Sequence, residues 1–489
     1  MSKYRYYFFG IIIILITWTG FSLYFSHSII PFPWSVTKHF FSLVSTTDIL
    51  AHLGLTFLRT ISGFFLALFF GFGLGLLTAM RPNSEKMLHF PLVLLQGCPP
   101  LLWIVPLLLI LGPGGIGPVV IVYLVVLPVI IINIREARKQ IPEKYFDVVK
   151  IYADKHIDRI KYILIPQLSG AIKSVILIGI VLAYKSSLLG EWFGAENGIG
   201  RKIYEYFYTY DMLSFYAVSF LYLLFLGLNV AAVNLILKFF LNRKSSRITQ
   251  NQNYLKYLSR SKEFTGLKNK SEIKKIELYN IDFAYPNKPL LFSQLTWDID
   301  CSQPIIITGP SGTGKTTLAK LLAGLLKPKA GSIYLSAEPY LIFQEDVFFN
   351  HHDCLENINL AVKRNSKSER QQFAINVLNQ CGLGDCFDLF PDELSGGMKK
   401  RLAFARAMAA DPEFIILDEP FINLDKKSRQ ELWALFFQLF PQRKIPSLII
   451  THYPEELNWP TEKACLYRLY NGKISKVPEK LKFQTIILN

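Results

Sequence analysis

Gly309-Pro310-Ser311-Gly312-Thr313-Gly314-Lys315-Thr316 has the composition of a loop that holds a polyphosphate. Its glycines let backbone N–H groups crowd around phosphate oxygens, and Lys315 adds a point charge to the same oxygens. Thr316 offers a hydroxyl to Mg²⁺, with Thr317 following it into a helix. Further along, Phe414-Ile415-Ile416-Leu417-Asp418-Glu419 is an apolar strand ending in two acids. Asp418 is suited to hold Mg²⁺, directly or through water, and Glu419 to orient and deprotonate an attacking water. Between them, Ser395-Gly396-Gly397 opens another helix, a second N-terminus suited to facing phosphate.

These side chains need a scaffold, and the flanking residues supply its pattern. Residues 305–308 read as a short buried strand and 317–323 as a helix, the strand–loop–helix context that the phosphate loop requires. A chain of 489 residues exceeds one ordinary domain, so two or three are expected. Its apolar residues concentrate before about position 242, in six candidate spans near 8–25, 57–80, 88–111, 118–134, 162–189 and 214–241. The first lacks a clear small-residue cleavage site and is expected to stay as a helix rather than leave as a signal peptide.

The net charge of +16 has two readings, nucleic-acid binding or the positive-inside bias of a membrane protein. Basic residues crowd 135–161 and follow residue 242, whereas the alternate loops hold little beyond Lys38, Arg201 and Lys202. The second reading therefore holds: the sixth span ends on the cytosolic side, everything after it is cytosolic, and no nucleic acid is expected. Ionisable residues within apolar spans are costly unless paired or facing a cavity. Lys173, Lys185 and Glu191 are thus candidates for a substrate path, against the plainer alternative that Lys173 snorkels and Glu191 sits at the outer interface. Glycines 63, 71, 73 and 75 suit close helix packing. The six cysteines, at 98, 301, 354, 381, 386 and 465, have neither zinc-site nor redox spacing and read as reduced thiols.

A phosphate loop followed by Leu394-Ser395-Gly396-Gly397-Met398, behind a hydrophobic half, resembles an ABC transporter with membrane and ATPase parts fused. The resemblance implies an α-helical transmembrane domain at 1–242, a basic linker at 243–275 and a P-loop α/β ATPase domain at 276–489. It also implies ATP and Mg²⁺ as cofactors. Within the ATPase half, Tyr285 resembles the aromatic that stacks on adenine, and Gln344 the glutamine that senses Mg²⁺ and faces the membrane domain. Asp425 resembles the acid of the loop after the catalytic strand, and His452 the histidine that contacts the γ-phosphate. In that family the Ser395-Gly396-Gly397 helix completes the partner's site, which implies a homodimer with two composite ATP sites.

The membrane half is similar to permeases of nitrate, sulfonate and taurine importers. Strings that carry this likeness are Leu58-Arg59-Thr60-Ile61-Ser62-Gly63-Phe64, the proline run from Pro99 to Pro106, and Ala183-Tyr184-Lys185 followed by Glu191. Asp147-Val148-Val149, Ala153 and Pro166 keep the spacing of the family's cytoplasmic coupling helix, with altered residue identities. The 331–344 stretch is shorter than in those relatives, implying a trimmed edge hairpin. The expected protein is a multi-pass inner-membrane importer of a small solute, served by a separate extracytoplasmic binding protein. An exporter, or a membrane-tethered ATPase that handles lipid, is the alternative.

Overall fold

The structure is a computed structural model that describes residues 2–44, 47–152, 160–241, 275–301, 303–362, 367–422, 424–440, 445–452 and 464–478. Ala153 and nearly all of the basic linker lie outside the described residues. The chain divides into two units, one of residues 1–141 and 167–243, the other of residues 142–166 and 244–489.

The first unit is helical: α1 (Ser2–Tyr24), α2 (Pro33–Val44), α3 (Thr47–Met80), α4 (Pro82–Gly97), α5 (Pro100–Leu111) and α6 (Ile116–Lys139). After an excursion into the second unit through α7 (Glu143–Tyr152) and a π-helical turn (Ile160–Leu164), it resumes with α8 (Ile165–Gly194), α9 (Ile199–Tyr208) and α10 (Met212–Leu241). Among the described residues, α3, α6, α8 and α10 are long and apolar enough to cross a bilayer. The apolar part of α1, Ile12–Tyr24, is shorter.

The expected third span is broken: α4 and α5 meet at 96°. The cause is local. Pro99 and Pro100 supply no N–H, and the residue before a proline is pushed out of the helical region. Cys98 accordingly sits at φ −79°, ψ 119°.

Glycines let α3 approach α6. A Cβ on Gly71 would lie 2.8 Å from Ile130 Cγ2, and one on Gly75 would lie 2.9 Å from Ile134 Cβ. Gly73 points elsewhere, with nothing within 4 Å of its would-be Cβ. Close packing of this kind drives helix association in lipid, where burial of apolar surface contributes little.

The second unit is α/β. An antiparallel sheet has the order β2 (Phe292–Asp300), β1 (Lys275–Phe283), β4 (Ala330–Leu335). A larger sheet runs β5 (Pro339–Ile342), β6 (Phe414–Asp418), β7 (Ser447–Ile450), β3 (Ile305–Thr308), β8 (Cys465–Tyr470), β9 (Lys473–Lys476), parallel except for its last pair. Strands β3, β6 and β7 are buried at every position, as expected of parallel strands covered on both faces. The helices are α11 (Lys315–Leu322), α12 (Cys354–Asn359), α13 (Lys367–Gln380), α14 (Gly396–Ala409) and α15 (Lys426–Leu439). Three residues join β4 to β5, which do not pair with each other: β4 lies against β1 and β5 against β6, so this connection passes from one sheet to the other and forms no hairpin.

Candidate functional site: a nucleotide pocket and the helix docked beside it

β3 and α11 hold the phosphate loop between them. Gly312 and Gly314 take φ of +82° and +98°, which only glycine adopts without strain. At Gly314 a Cβ would also lie 2.9 Å from the Phe292 ring. Lys315 is buried, and its ammonium donates to the carbonyls of Gly309 (2.8 Å) and Pro310 (3.0 Å). Thr313 closes the loop by donating to Pro310 O at 2.9 Å. Burial pulls the Lys315 pKa down, against the opposing pull of Glu419 and Asp418.

β6 delivers the two acids to the same place. Asp418 is buried, and its Oδ1 finds no hydrogen-bond partner. Burial pushes its carboxyl up to about 6, opposed by a hydrogen bond from Thr316. Glu419 leaves the strand at φ +44°, a left-handed value that costs a non-glycine residue about 1–3 kcal/mol and tends to mark functional sites. Its Oε1 meets His452 Nε2 at 2.9 Å and Lys315 Nζ at 3.9 Å, and its Oε2 accepts from Gln344 Nε2 at 3.4 Å.

Glu419, His452, Lys315 and Gln344 line one cavity of about 940 Å³, together with Tyr285, Ser311, Thr316 and Thr317, while Asp418 lies behind them and does not line it. The Tyr285 hydroxyl lies 3.1 Å from Thr317 Oγ1, and its ring stands edge-on to Phe283 at 5.1 Å. Lys288 and Ile422, which sequence reasoning did not single out, also line the cavity.

Other expected site residues lie apart from that cavity. Ser395 caps α14, its hydroxyl accepting from Met398 N at 3.3 Å, and Ser395 and Gly396 are exposed. Asp425 caps α15, accepting from Ser428 N at 3.0 Å and Ser428 Oγ at 2.6 Å.

α7 packs within the α/β unit. Val148 and Val149 of α7 are buried, and Ile151 touches both apolar clusters of that unit. Asp147 faces Lys320 of α11 (3.7 Å), Lys144 pairs with Glu345 (2.6 Å), and Lys150 donates to Leu325 O (3.2 Å). After α7, Pro166 lies in the first turn of α8, at the edge of the 142–166 segment.

In the helical unit, Lys173 is half-buried and Lys185 exposed on α8. Glu191 is fully buried and accepts from Thr56 Oγ1 (2.8 Å), Arg59 Nη1 (2.9 Å) and Gly200 N (3.0 Å). Arg59 also donates to the backbone and side chain of Asn197. Arg59 stood in a string noted from sequence, but nothing there paired it with a residue 132 positions away.

The buried strand, phosphate loop and paired acids define a P-loop ATPase. Residues 292–422 match the ABC transporter family model, and residues 71–250 match that of the binding-protein-dependent transport system inner membrane component. The chain is 33% identical over 215 residues to the thiamine import ATP-binding protein ThiQ of Haemophilus influenzae, covering 41% of this chain and 98% of that one. It is 37% identical over 182 residues to the taurine import ATP-binding protein TauB of Yersinia pestis, covering 35% and 71%. A dimeric ATP-binding cassette bound to ADP and Pi is 22% identical, covering 42% of this chain and 99% of that one at a TM-score of 0.37, too low to carry an argument.

The chain belongs to the ABC transporter family. More particularly, it is an importer-type ABC system with permease and ATP-hydrolysing domains in one multi-pass inner-membrane chain, rather than the exporter that was the alternative.

Proposed function

We propose that this chain is one protomer of a homodimeric importer that accepts a small solute from a separate binding protein on the outer side. The proposed division is a permease at 1–242, a linker at 243–275 and an ATPase at 276–489. The observation that carries the reading is the meeting of Glu419 with Gln344, His452 and Lys315 in one cavity. In it, Lys315 and the loop amides bind the β- and γ-phosphates of ATP, and Tyr285 presents its ring to the base. Glu419 takes the proton of the attacking water. His452 orients that carboxylate and faces the γ-phosphate, and Gln344 ties it to the loop beside α7.

The residues fit Mg²⁺. Asp418 has a buried oxygen without a partner, beside the Thr316 hydroxyl, and oxygens of this kind suit a hard cation; Gln344, whose amide meets Glu419, is the further proposed ligand. Bound there, Mg²⁺ neutralises charge on the phosphate oxygens. Ser395 and Gly396, exposed, and Gly397, half-buried, all outside the cavity, are proposed to complete the partner's site, with Asp425 fixing the start of α15. The part of α7 from Asp147 to Val149 is proposed to transmit closure of the ATPase domains.

Lys173 and Lys185 remain the proposed path residues. The three donors that occupy Glu191 favour a structural role for it instead. The import relatives named for thiamine and taurine support a small organic solute as cargo.

The test is ATPase activity of the chain in lipid discs, with and without a loaded binding protein. Stimulation supports import. High basal turnover that ignores every binding protein offered would overturn it.

A further inference from the structure

Three consecutive residues after β5 reach three different elements. Gln344 directs its amide at Glu419. Glu345 pairs with Lys144 of α7. Asp346 pairs at 3.1 Å with Lys400 of α14, and the Lys400 ammonium also donates to Gln344 O at 3.1 Å. Lys400 is buried, with only 6% of its surface exposed. A lysine seldom gives up its water to that extent unless fixed partners take its charge, and here both partners belong to the loop that carries Gln344. Six residues further along α14, Arg406 donates to Val347 O at 2.8 Å and lies over the Phe348 ring, 4.9 Å from its centroid. Two buried cations of one helix thus grip successive residues of one loop.

We propose that Lys400 is a positioning residue for ATP hydrolysis. It clamps α14, and with it Ser395-Gly396-Gly397, to the 344–346 loop, so that the N-terminus offered to the partner's nucleotide moves together with Gln344 and α7. The proposal rests on the reading that α14 completes a composite site in a dimer. A lysine that merely filled space would be needed for folding and would leave closure untouched once the fold was intact.

The experiment uses the full chain in lipid discs, with Glu419→Gln as the parent so that bound ATP is not consumed. Two quantities are read: ATP retained through a desalting column, which reports closure, and the thermal shift given by ADP, which reports the phosphate loop alone. The parent is expected to retain ATP. Adding Lys400→Met should cut retention by roughly tenfold or more, the scale expected on breaking a buried ion pair, and leave the ADP shift as in the parent. Lys400→Arg should restore most of the retention, and Asp346→Asn should lower it in the same direction as Lys400→Met. Retention equal to the parent in Lys400→Met overturns the proposal. Loss of the ADP shift in the same variant also overturns it, by making the residue a folding element. A parent that retains no ATP removes the composite-site reading, and the proposal falls with it.

Discussion

Asp147 Oδ2 lies 3.7 Å from Lys320 Nζ, so α7 meets the helix of the phosphate loop through one long ion pair. Both side chains are partly exposed, and pairs of that kind contribute about 0–1 kcal/mol. The two neighbouring valines are buried, each worth about 1.5–3 kcal/mol. Val148→Asp or Val149→Asp is therefore expected to detach α7, seen as faster proteolysis of 142–166, whereas Asp147→Asn leaves the helix docked. Equal protection in all three variants would show that the valines do not anchor it.

The same aspartate makes a pH prediction. Burial outweighs the pull of Lys320 and Lys150 and holds its carboxyl above the usual range. The folded chain thus keeps this proton at pH values where the unfolded chain has lost it. Stability from this residue is fully present below the unfolded pKa of about 3.9, and is lost as pH rises through the raised folded value. Asp147→Asn should remove that loss. Melting temperatures measured across the window, wild type against variant, should converge at its acidic end. A variant less stable than wild type above the window, where the carboxyl is ionised, would reverse the sign.

Glu419→Gln keeps the cavity's shape and removes the base. Steady ATP turnover should fall by about 10²–10⁴-fold, with ATP still bound. Turnover near that of wild type would assign the proton to another group.

The buried pair of Glu191 and Arg59 predicts a non-additive cycle. Glu191→Ala leaves the guanidinium without its carboxylate and the Gly200 N–H without its acceptor, while the Thr56 hydroxyl keeps the His52 carbonyl, a loss of about 3–5 kcal/mol. The double change Glu191→Met with Arg59→Met should be milder than either single one, measured by thermal unfolding in discs. Additive losses would mean that the two side chains do not act as a pair.

Glycine packing gives a built-in control. Gly71→Ala drives a methyl against Ile130 and should cost about 1–3 kcal/mol, while Gly73→Ala on the same helix meets open space and should cost nothing measurable. Comparable destabilisation by both would put the α3–α6 contact elsewhere.

The nucleotide pocket was legible in sequence because its parts are local: a loop bounded by its strand and helix, and two acids at the end of a five-residue apolar strand. Lys320, Lys400 and Arg59 were not legible. Each owes its importance to partners far along the chain, chosen by packing that no periodicity records. Glycines 63, 71, 73 and 75 were read as one packing set, but Gly73 faces away, since a helix turns about 100° per residue. The break before α5 was written in Pro99 and Pro100, yet the apolar run through 88–111 hid it.

That break has a further consequence. The carbonyls of Leu95 and Gln96 face prolines four residues on, so the usual helical donors for them do not exist. At about 1.5 Å per residue, neither α4 (16 residues) nor α5 (12 residues) spans a hydrocarbon layer of about 30 Å by itself. A bare carbonyl facing acyl chains costs several kcal/mol, so this elbow has to be wetted or roofed by protein. The need for water or covering protein thus has an address in the membrane half, and it is set by two missing hydrogens.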